Sequence, residues 1–408
     1  MILGFFIKNY KSVLEERIDF SFAEGKAPNG YKETDYFTFL SSKKGRCVPA
    51  LAIFGANGSG KSNLLEAIDA LSRIIREGNV SGKYRPNKLN RKYNSTTFRL
   101  DFLVDDNLYV YSIEYDESQI KEEYLKKNDK LLFEVNSGIV TSEILKKEQL
   151  NNANQLFKDS CLDQGVFTNP LITMIRKWMS GLSDVTIAYN YLFSIMYMKS
   201  NNIPSFLSID LLSVNKQGIN ASFKEIVSYL QKMDINVTDA EMDFQRILLN
   251  RTQRPDGGVV SKWEDKITVY HPDTSGNKVG LKLVEESQGT QLLFGILGII
   301  LLILKEGRVL FLDELDRSLH PFVLRALTRL FKDKSINTKK AQLIYSAHDT
   351  SVFEDELLRI SEAALVTNTL KEGTTIKRLS DYEGISNADN FRKLYIDGRL
   401  GAIPITKN

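Results

Sequence analysis

The chain has 408 residues, 42% of them hydrophobic and 26% charged, with a net charge of +3. Its length and composition are typical of a globular protein of two or three domains, and they exclude a disordered or fibrous chain. The net charge is too close to balance to indicate nucleic-acid binding by itself.

The N-terminal part of the chain places a glycine-rich loop directly after an apolar strand. Residues 2–7 and 18–22 are predicted strands, joined by residues 8–12. A further strand at residues 51–54 runs into the sequence GANGSGKS, which begins at Gly55. A buried strand that ends in such a loop is the usual context of a phosphate-binding site.

The glycine-rich loop fits the pattern G-x-x-x-x-G-K-[ST] at every required position, with Gly55, Gly60, Lys61 and Ser62. Glycines let several backbone N–H groups point at one anion, and the N-terminus of the following helix adds positive charge. Lys61 is expected to reach the β- and γ-phosphates of ATP, and the Ser62 hydroxyl is expected to bind Mg²⁺. The other predicted nucleotide-binding residues of this loop are Asn57, Gly58, Ser59 and Asn63.

An amphipathic helix is predicted after the loop, and Gly78 is placed to end it. Its apolar face is formed by Leu64, Ile68, Leu71 and Ile75. Residues 76–93 then carry several basic side chains with tyrosines among them. Such a segment can contact a nucleic-acid backbone, although a solvated loop is the commoner structure.

Alternating strands give way to helical patterns in the middle of the chain. Residues 98–104 and 109–115 alternate apolar with polar side chains, and the short turn sequence between them predicts a hairpin. Helical stripes appear after about residue 121, and the two clearest consist of Leu171, Met174, Ile175 and Trp178, then Phe223, Ile226, Val227 and Leu230. Because neither stripe continues as heptads, we predict a compact, mainly helical insertion rather than a coiled coil.

The predicted domain organisation has three parts. Residues 1–120 form the N-terminal part of a nucleotide-binding head, residues 121–262 form the insertion, and residues 263–408 form the C-terminal part of the head. In this last part, the apolar run at residues 292–304 is too short to span a bilayer and is predicted to be a buried helix. We therefore expect a cytoplasmic protein without a membrane segment.

Two carboxylates, Asp313 and Glu314, follow the apolar strand predicted at residues 308–312. A buried strand delivers such acids to the carboxyl edge of an α/β sheet, where ligands bind. Together with the upstream phosphate loop, they predict a nucleotide-hydrolysing site. Asp313 is expected to hold Mg²⁺, and Glu314 is expected to act as the general base that deprotonates the attacking water.

His348 follows another predicted strand, at residues 341–346. A lone histidine at a strand end is more often structural than functional. Its place in the chain, after the phosphate loop and the two acids, favours a contact with the γ-phosphate. His271 and His320 have no ligand spacing to each other or to the two cysteines, so no metal other than Mg²⁺ is predicted.

The order of these motifs resembles that of a known family. The sequences NYKS, GANGSGKSN, ESQGT, LFLDELDRSLHP and SAHD follow one another as in the ABC-type ATPases related to SMC proteins. More narrowly, the chain is similar to the AAA15-type and overcoming-lysogenisation-defect-like ATPases of bacterial anti-phage systems. The resemblance covers about residues 1–115 and 265–408. It implies an α/β fold, namely an ABC-type P-loop ATPase head with a mainly helical insertion.

The resemblance implies further site residues. Ser287 and Gly289 match the signature motif, which in the family binds the γ-phosphate of ATP held by another subunit. Asp316 matches a loop that in the family meets the partner subunit. Residues 8–12 match positions that lie near the nucleotide in relatives. Gln119 is a candidate for the Q-loop glutamine. A serine at a helix N-terminus can also be a simple cap.

The resemblance also implies partners. It suggests a homo-oligomer that clasps ATP between copies and controls a separate effector, such as a nuclease, in anti-phage defence. Too few residues follow Glu314 to build the TOPRIM nuclease domain of many relatives, so we expect the effector on another chain. The alternatives are an SMC- or RecF-like DNA-repair ATPase that binds DNA, and a nucleotide-gated scaffold without hydrolysis. The sequence has no Asn-Lys-x-Asp guanine-reading motif, which favours ATP over GTP.

Overall fold

The protein divides into two compact units, which are interleaved along the chain. Unit 1 comprises Met1–Tyr197, Gly307–Asp313 and Lys340–Asn408, and unit 2 comprises Met198–Glu306 and Glu314–Lys339. The structure is a computed structural model, and the residues that it describes are 1–23, 37–40, 44–136, 139–143, 145–160, 167–178, 182–200, 216–242, 267–317, 319–385 and 390–401.

The described residues form strands and helices in mixed order. The strands are β1 Ile2–Tyr10, β2 Val13–Asp19, β3 Ser21–Ala23, β4 Phe37–Leu40, β5 Lys44–Cys47, β6 Ala50–Phe54, β7 Thr96–Val104, β8 Asn107–Tyr115, β9 Ile120–Lys127, β10 Lys130–Asn136, β11 Ile139–Thr141, β12 Met196–Lys199, β13 Asp239–Met242, β14 Ile267–Pro272, β15 Lys278–Lys282, β16 Val309–Asp313, β17 Gln342–Ser346, β18 Ala363–Thr369 and β19 Gly373–Arg378. The helices are α1 Lys61–Glu77, α2 Lys147–Ser160, α3 Leu171–Trp178, α4 Ser183–Ser194, α5 Lys216–Lys232, α6 Gln288–Glu306, α7 Pro321–Lys332 and α8 Phe391–Ile396.

A large mixed sheet carries the phosphate loop. Its strand order is β11-β10-β9-β8-β7-β1-β2-β19-β18-β6-β17-β16-β12. Strands β18, β6, β17 and β16 pair parallel with one another, whereas the neighbouring strands from β11 to β18 in this order pair antiparallel. Every residue of β6, β16 and β17 is buried, which explains why their sequences are continuous apolar runs. The predicted α/β class is confirmed.

Helix α1 has the predicted apolar face and the predicted end. Its buried side chains include Leu64, Ile68, Leu71 and Ile75. Gly78 follows with a φ of 64°, and its N–H donates to the carbonyl oxygen of Ile74. A residue in this left-handed conformation is normally glycine, so the Gly78 cap ends the helix for the expected reason.

The predicted hairpin after α1 is also confirmed. Strands β7 and β8 pair antiparallel from Thr96↔Tyr115 to Val104↔Asn107. Asp105 and Asp106 form the turn with φ values of 47° and 58°. Two consecutive positive φ values define the turn type whose twist matches that of the flanking strands, and aspartate tolerates this conformation better than most residues.

The sheet continues further along the chain than the sequence pattern indicated. Strands β9 to β11 lie between residues 120 and 141, and helices of the insertion begin only with α2. In β9 the buried positions are Ile120, Glu123 and Leu125. A glutamate at an inward-facing position conceals the alternation on which the prediction of a strand depends.

Glu123 is fully buried. Its burial is explained by its role as a helix cap. Its carboxylate accepts hydrogen bonds from the backbone N–H groups of Leu171, at 2.5 Å, and Ile172, at 3.0 Å, and from the Tyr111 hydroxyl, at 3.0 Å. The first N–H groups of a helix have no acceptor within it, so Glu123 satisfies two such donors of α3. Burial nevertheless raises the pKa of Glu123 to about 7.

We expect Glu123→Gln to flatten the pH dependence of stability. The folded protein holds the Glu123 proton more tightly than the unfolded chain, whose carboxyl pKa is 4.5. The free energy of unfolding therefore falls as the pH rises from about 4.5 to 7, by about 3 kcal/mol for this residue. Urea unfolding at pH 5 and pH 7 measures the change. A variant that loses as much stability as the wild type over this interval would contradict the assignment.

The described residues of unit 2 form a small sheet and three α-helices. Strand β14 lies between β13 and β15, and α5 packs against β13 and α6. The rings of Phe223 and Phe294 meet edge to face at 5.4 Å between α5 and α6. Among the described residues, α6 is the one helix long and apolar enough to span a membrane by length and composition, and 56% of its most apolar window is buried. The predicted buried helix at residues 292–304 is confirmed.

Candidate functional site

The phosphate loop connects β6 to α1 in a conformation that requires its glycines. Gly58 and Gly60 have φ values of 79° and 101°, which side chains other than glycine rarely adopt. At Gly60 a Cβ atom would also lie 2.0 Å from Thr374 Oγ1. Because the first N–H groups of α1 lack acceptors within the helix, they are available to an anion in the loop.

Lys61 is held inside the loop. The residue is 7% exposed, and Nζ donates to the carbonyl oxygens of Gly55, at 2.7 Å, and Ala56, at 3.2 Å. Ser62 and Asn63 are half-buried in the first turn of α1, whereas Asn57 and Gly58 are exposed and Ser59 is buried. The ammonium group thus lies where phosphate oxygens would replace the two carbonyls as its acceptors.

Parallel register brings Asp313 to the same sheet edge. Ile53 pairs with Ser346 across β6 and β17, and Leu312 pairs with Tyr345 across β16 and β17, so the three strands end level. Asp313 is 2% exposed, and Ser346 donates to its Oδ1 at 2.6 Å. A buried carboxylate fixed by one hydroxyl retains lone pairs for a metal ion or a metal-bound water.

The oxygen ligands of this edge fit Mg²⁺ rather than a transition metal. Within the described part of the chain, no group of three or more His, Cys, Asp or Glu side chains is arranged to hold a metal. Magnesium is usually held by one or two protein oxygens together with phosphates and waters. Ser62 and Asp313 are chemically suited to that role.

Glu314 follows Asp313 and has an unusual backbone. Its φ is 56°, in the left-handed region that non-glycine residues rarely occupy. Its carboxylate lies 3.1 Å from Arg317 Nη1, with both side chains partly exposed. Strained residues of this kind concentrate at functional sites, so the conformation supports a functional hypothesis for Glu314.

His348 lies at the edge where β6 and β17 end. The preceding Ala347 donates its N–H to the carbonyl oxygen of Ile53 at 3.1 Å, so the chain still follows β6 at this point. His348 itself is exposed. The structure therefore brings His348, Asp313 and the phosphate loop to one edge of the sheet in unit 1.

The signature-like residues lie at the N-terminus of α6 in unit 2. Ser287 precedes the helix, and its Oγ accepts the N–H of Thr290 at 3.1 Å. Ser287 is exposed, and Gly289 lies in the first turn. Ser287 is therefore a helix cap, which is compatible with both readings of the motif, because a cap and a phosphate-binding turn use the same exposed end.

Thr374 is not among the site residues that the sequence predicts, yet it is fully buried and contacts the phosphate loop. Its Oγ1 lies 2.6 Å from Ser12 Oγ and 3.2 Å from the carbonyl oxygen of Ser59, and Asn63 Nδ2 donates to Ser12 Oγ at 2.7 Å. Since the Nδ2 group of Asn63 only donates and the Ser59 carbonyl only accepts, the two hydroxyls between them connect the start of α1 to the loop backbone. The sequence predicts residues 8–12 near the nucleotide, and Ser12 accepts a hydrogen bond from Asn63 in the first turn of α1.

We expect Thr374→Val to weaken ATP binding about tenfold, because an isosteric side chain without the hydroxyl leaves buried polar groups of the loop unpaired. Calorimetric titration with ATP and Mg²⁺ measures the affinity. Thr375→Val is the matched control, since Thr375 Oγ1 pairs with Thr367 Oγ1 at 2.8 Å and has no bond to the loop. Equal affinities for the two variants would show that Thr374 has no special role.

Two further predictions have no supporting contact among the described residues. The backbone of Gln119 closes a turn with Asp116, and no described contact links its side chain to the phosphate loop. Asn9 in β1 bonds to the basic segment, because its Nδ2 donates to the carbonyl oxygen of Tyr93 and its Oδ1 accepts from the N–H of Asn87. These contacts do not test nucleic-acid binding.

A strand, a phosphate loop with its lysine, and a buried acid at the same sheet edge define a P-loop ATPase. The chain belongs to the family described as "AAA domain, putative AbiEii toxin, Type IV TA system", whose model matches residues 51–354. Among solved structures it is similar to the SMC head domain from Thermotoga maritima, with 18% identity, 92% of this chain and 98% of that chain covered, and a TM-score of 0.44. No curated protein matches the chain.

Proposed function

We propose that this protein is an ATP-hydrolysing subunit that assembles with ATP bound between copies and controls a separate effector in anti-phage defence. The observation that carries the enzymatic part is the alignment of the phosphate loop with Asp313 at one edge of the parallel strands, with Glu314 next in the chain. This combination supplies both charge neutralisation and a base.

In this proposal, separate residues bind the phosphates, hold the metal and deprotonate the water. Lys61 and the N–H groups at the start of α1 bind the β- and γ-phosphates, because both present positive charge to the same point. Ser62 and Asp313 would hold Mg²⁺, which would supply positive charge to neutralise the phosphate oxygens. Glu314 takes a proton from the attacking water, and His348 stabilises the γ-phosphate as it departs.

Assembly completes the site in this proposal. The exposed N-terminus of α6, with Ser287 and Gly289, caps the γ-phosphate of ATP bound to another copy. Asp316 lies two residues after Glu314 and meets the neighbouring copy. Hydrolysis removes the phosphate that joins the copies, so the ATP-bound oligomer is the active signal.

The role in defence rests on the family. Its description names a putative toxin and a type IV toxin–antitoxin system, which supports a place in a toxin-based defence system. We infer that the effector, such as a nuclease, is a separate chain and that the protein works in the cytoplasm.

A DNA-repair ATPase of the SMC or RecF type is the second candidate, and one observation favours it. Lys8 Nζ and Lys92 Nζ each lie 4.7 Å from the centre of the Tyr93 ring, which forms a basic aromatic surface. Turnover that rises with added DNA and falls back at higher salt would support this function. Turnover insensitive to DNA would exclude it.

The proposed function predicts strict dependence on Mg²⁺ and on ATP. Purified protein should release phosphate from ATP. This release should stop when EDTA removes Mg²⁺ and resume when Mg²⁺ is restored, because Ser62 and Asp313 cannot neutralise the phosphates without the metal. GTP should be hydrolysed more slowly. Light scattering with and without ATP gives the mass of the assembly. Binding of ATP without turnover would instead support the nucleotide-gated scaffold.

A further inference from the structure

His271, in β14, makes a hydrogen bond to the turn that precedes α6. No sequence motif gives this residue a role. Nδ1 of His271 lies 2.7 Å from the carbonyl oxygen of Asn236, and Nε2 lies 2.7 Å from Glu286 Oε1. Glu286 immediately precedes Ser287. The side chains of His271 and Glu286 are 26% and 9% exposed, so the contact is largely shielded from water.

The two partners of the His271 ring determine its protonation state. A carbonyl oxygen and an ionised carboxylate can only accept hydrogen bonds. A neutral imidazole carries a single N–H, so only the doubly protonated ring can donate to both partners. The positive ring then makes a charge-assisted hydrogen bond to Glu286, which is stronger than a bond between neutral groups.

Hydrogen bonds from Gln291 connect Glu286 to the start of α6. Gln291, in the first turn of α6, donates from Nε2 to the carbonyl oxygens of Glu286, at 2.7 Å, and Val284, at 3.3 Å. The residue before Ser287 is therefore held by its side chain from β14 and by its backbone from α6. Fixing Glu286 on both sides fixes the direction of Ser287 and of the first N–H groups of the helix.

Other charged groups around β14 have partners elsewhere. Within the described part of unit 2, Glu286 is the charged side chain that contacts the His271 ring. The neighbouring interactions are Lys278 with Asp239 at 2.6 Å, the Tyr270 hydroxyl with Glu241 at 3.0 Å, Asp273 with the N–H groups of Ser275 and Asn277 at 2.8 and 2.7 Å, and Glu285 with the N–H of Lys282 at 2.8 Å.

We propose that His271 is a positioning residue for the signature turn: its imidazolium holds Glu286 and so directs Ser287 toward the γ-phosphate of ATP bound to another copy. This inference rests on the proposed function. Loss of either side chain removes the bond between β14 and Glu286, so capping between copies should weaken.

Hydrogen exchange of the full chain without nucleotide tests the contact itself. In His271→Ala and in Glu286→Gln, the amides of residues 284–291 should exchange about tenfold faster than in the wild type at pH 6. The double variant should be no faster than either single one, because both remove the same interaction. Tyr270→Phe is the matched control, since it loses a bond on the same strand to Glu241. Exchange equal to the control would overturn the proposal.

ATP-dependent association, measured by sedimentation, tests the positioning role. His271→Ala should associate about tenfold more weakly than the wild type, while each copy binds ATP as before. Wild-type association in a variant whose turn exchanges faster would overturn the positioning role. If the wild type itself fails to associate, the proposed function is wrong, and the exchange experiment identifies this case because it needs no association.

Discussion

Glu314→Gln should slow ATP turnover by about 10²- to 10⁴-fold and leave ATP binding intact. Glutamine has the size of glutamate but cannot take a proton from water. The phosphate contacts depend on Lys61 and on the start of α1, so the substitution does not touch them. The ATP-bound oligomer should therefore accumulate. Single-turnover phosphate release and light scattering measure the two effects.

A control separates the loss of a base from the loss of a surface charge. Glu314 pairs with Arg317 on the surface, and such exposed pairs contribute little to stability. Glu77→Gln removes comparable pairs with Arg73 and Lys83 at the end of α1 and should turn over ATP normally. If Glu314→Gln also retains normal turnover, Glu314 is not the base.

Lys61→Ala should lower ATP affinity by about 100-fold or more and abolish turnover. The ammonium group is the one side-chain cation of the phosphate loop, and its bonds to phosphate oxygens are charge-assisted. Alanine has a high helix propensity, so the start of α1 should remain folded. Calorimetric titration with ATP measures the affinity, and far-UV circular dichroism checks the fold.

Arg73→Ala is the control on the same helix. Arg73 makes exposed ion pairs with Asp69 and Glu77, so its loss removes a positive charge without changing the loop. It should bind ATP as the wild type does. Retained ATP affinity in Lys61→Ala would contradict the assignment of the loop.

Local features were the ones that the sequence predicted well. Each of these features depends on residues close together in the chain: the apolar face of α1, its Gly78 cap, the turn at Asp105 and Asp106, and the buried strand before Asp313. Periodicity and turn chemistry act over this range, so the pattern contains the answer.

Features that depend on distant residues were missed. Thr374 lies more than 300 residues from the loop that it contacts, with a separation of 315 residues from Ser59. Glu123 occupies an apolar position of β9 because it caps α3, a contact that no local pattern contains. His271 had no ligand spacing, and its role follows from a partner in the turn before α6. Long-range hydrogen bonds of buried polar groups leave little trace in a single sequence.

The central claim is that each ATP is bound by two copies, one through Lys61 and the other through Ser287. Mixing Lys61→Ala with Ser287→Arg tests it, because each variant alone lacks one half of every site. In an equimolar mixture, half of the dimers contain both variants and each of these has one intact site, so about a quarter of wild-type turnover should return. A mixture as inactive as its components, or full activity of Ser287→Arg alone, would contradict the claim.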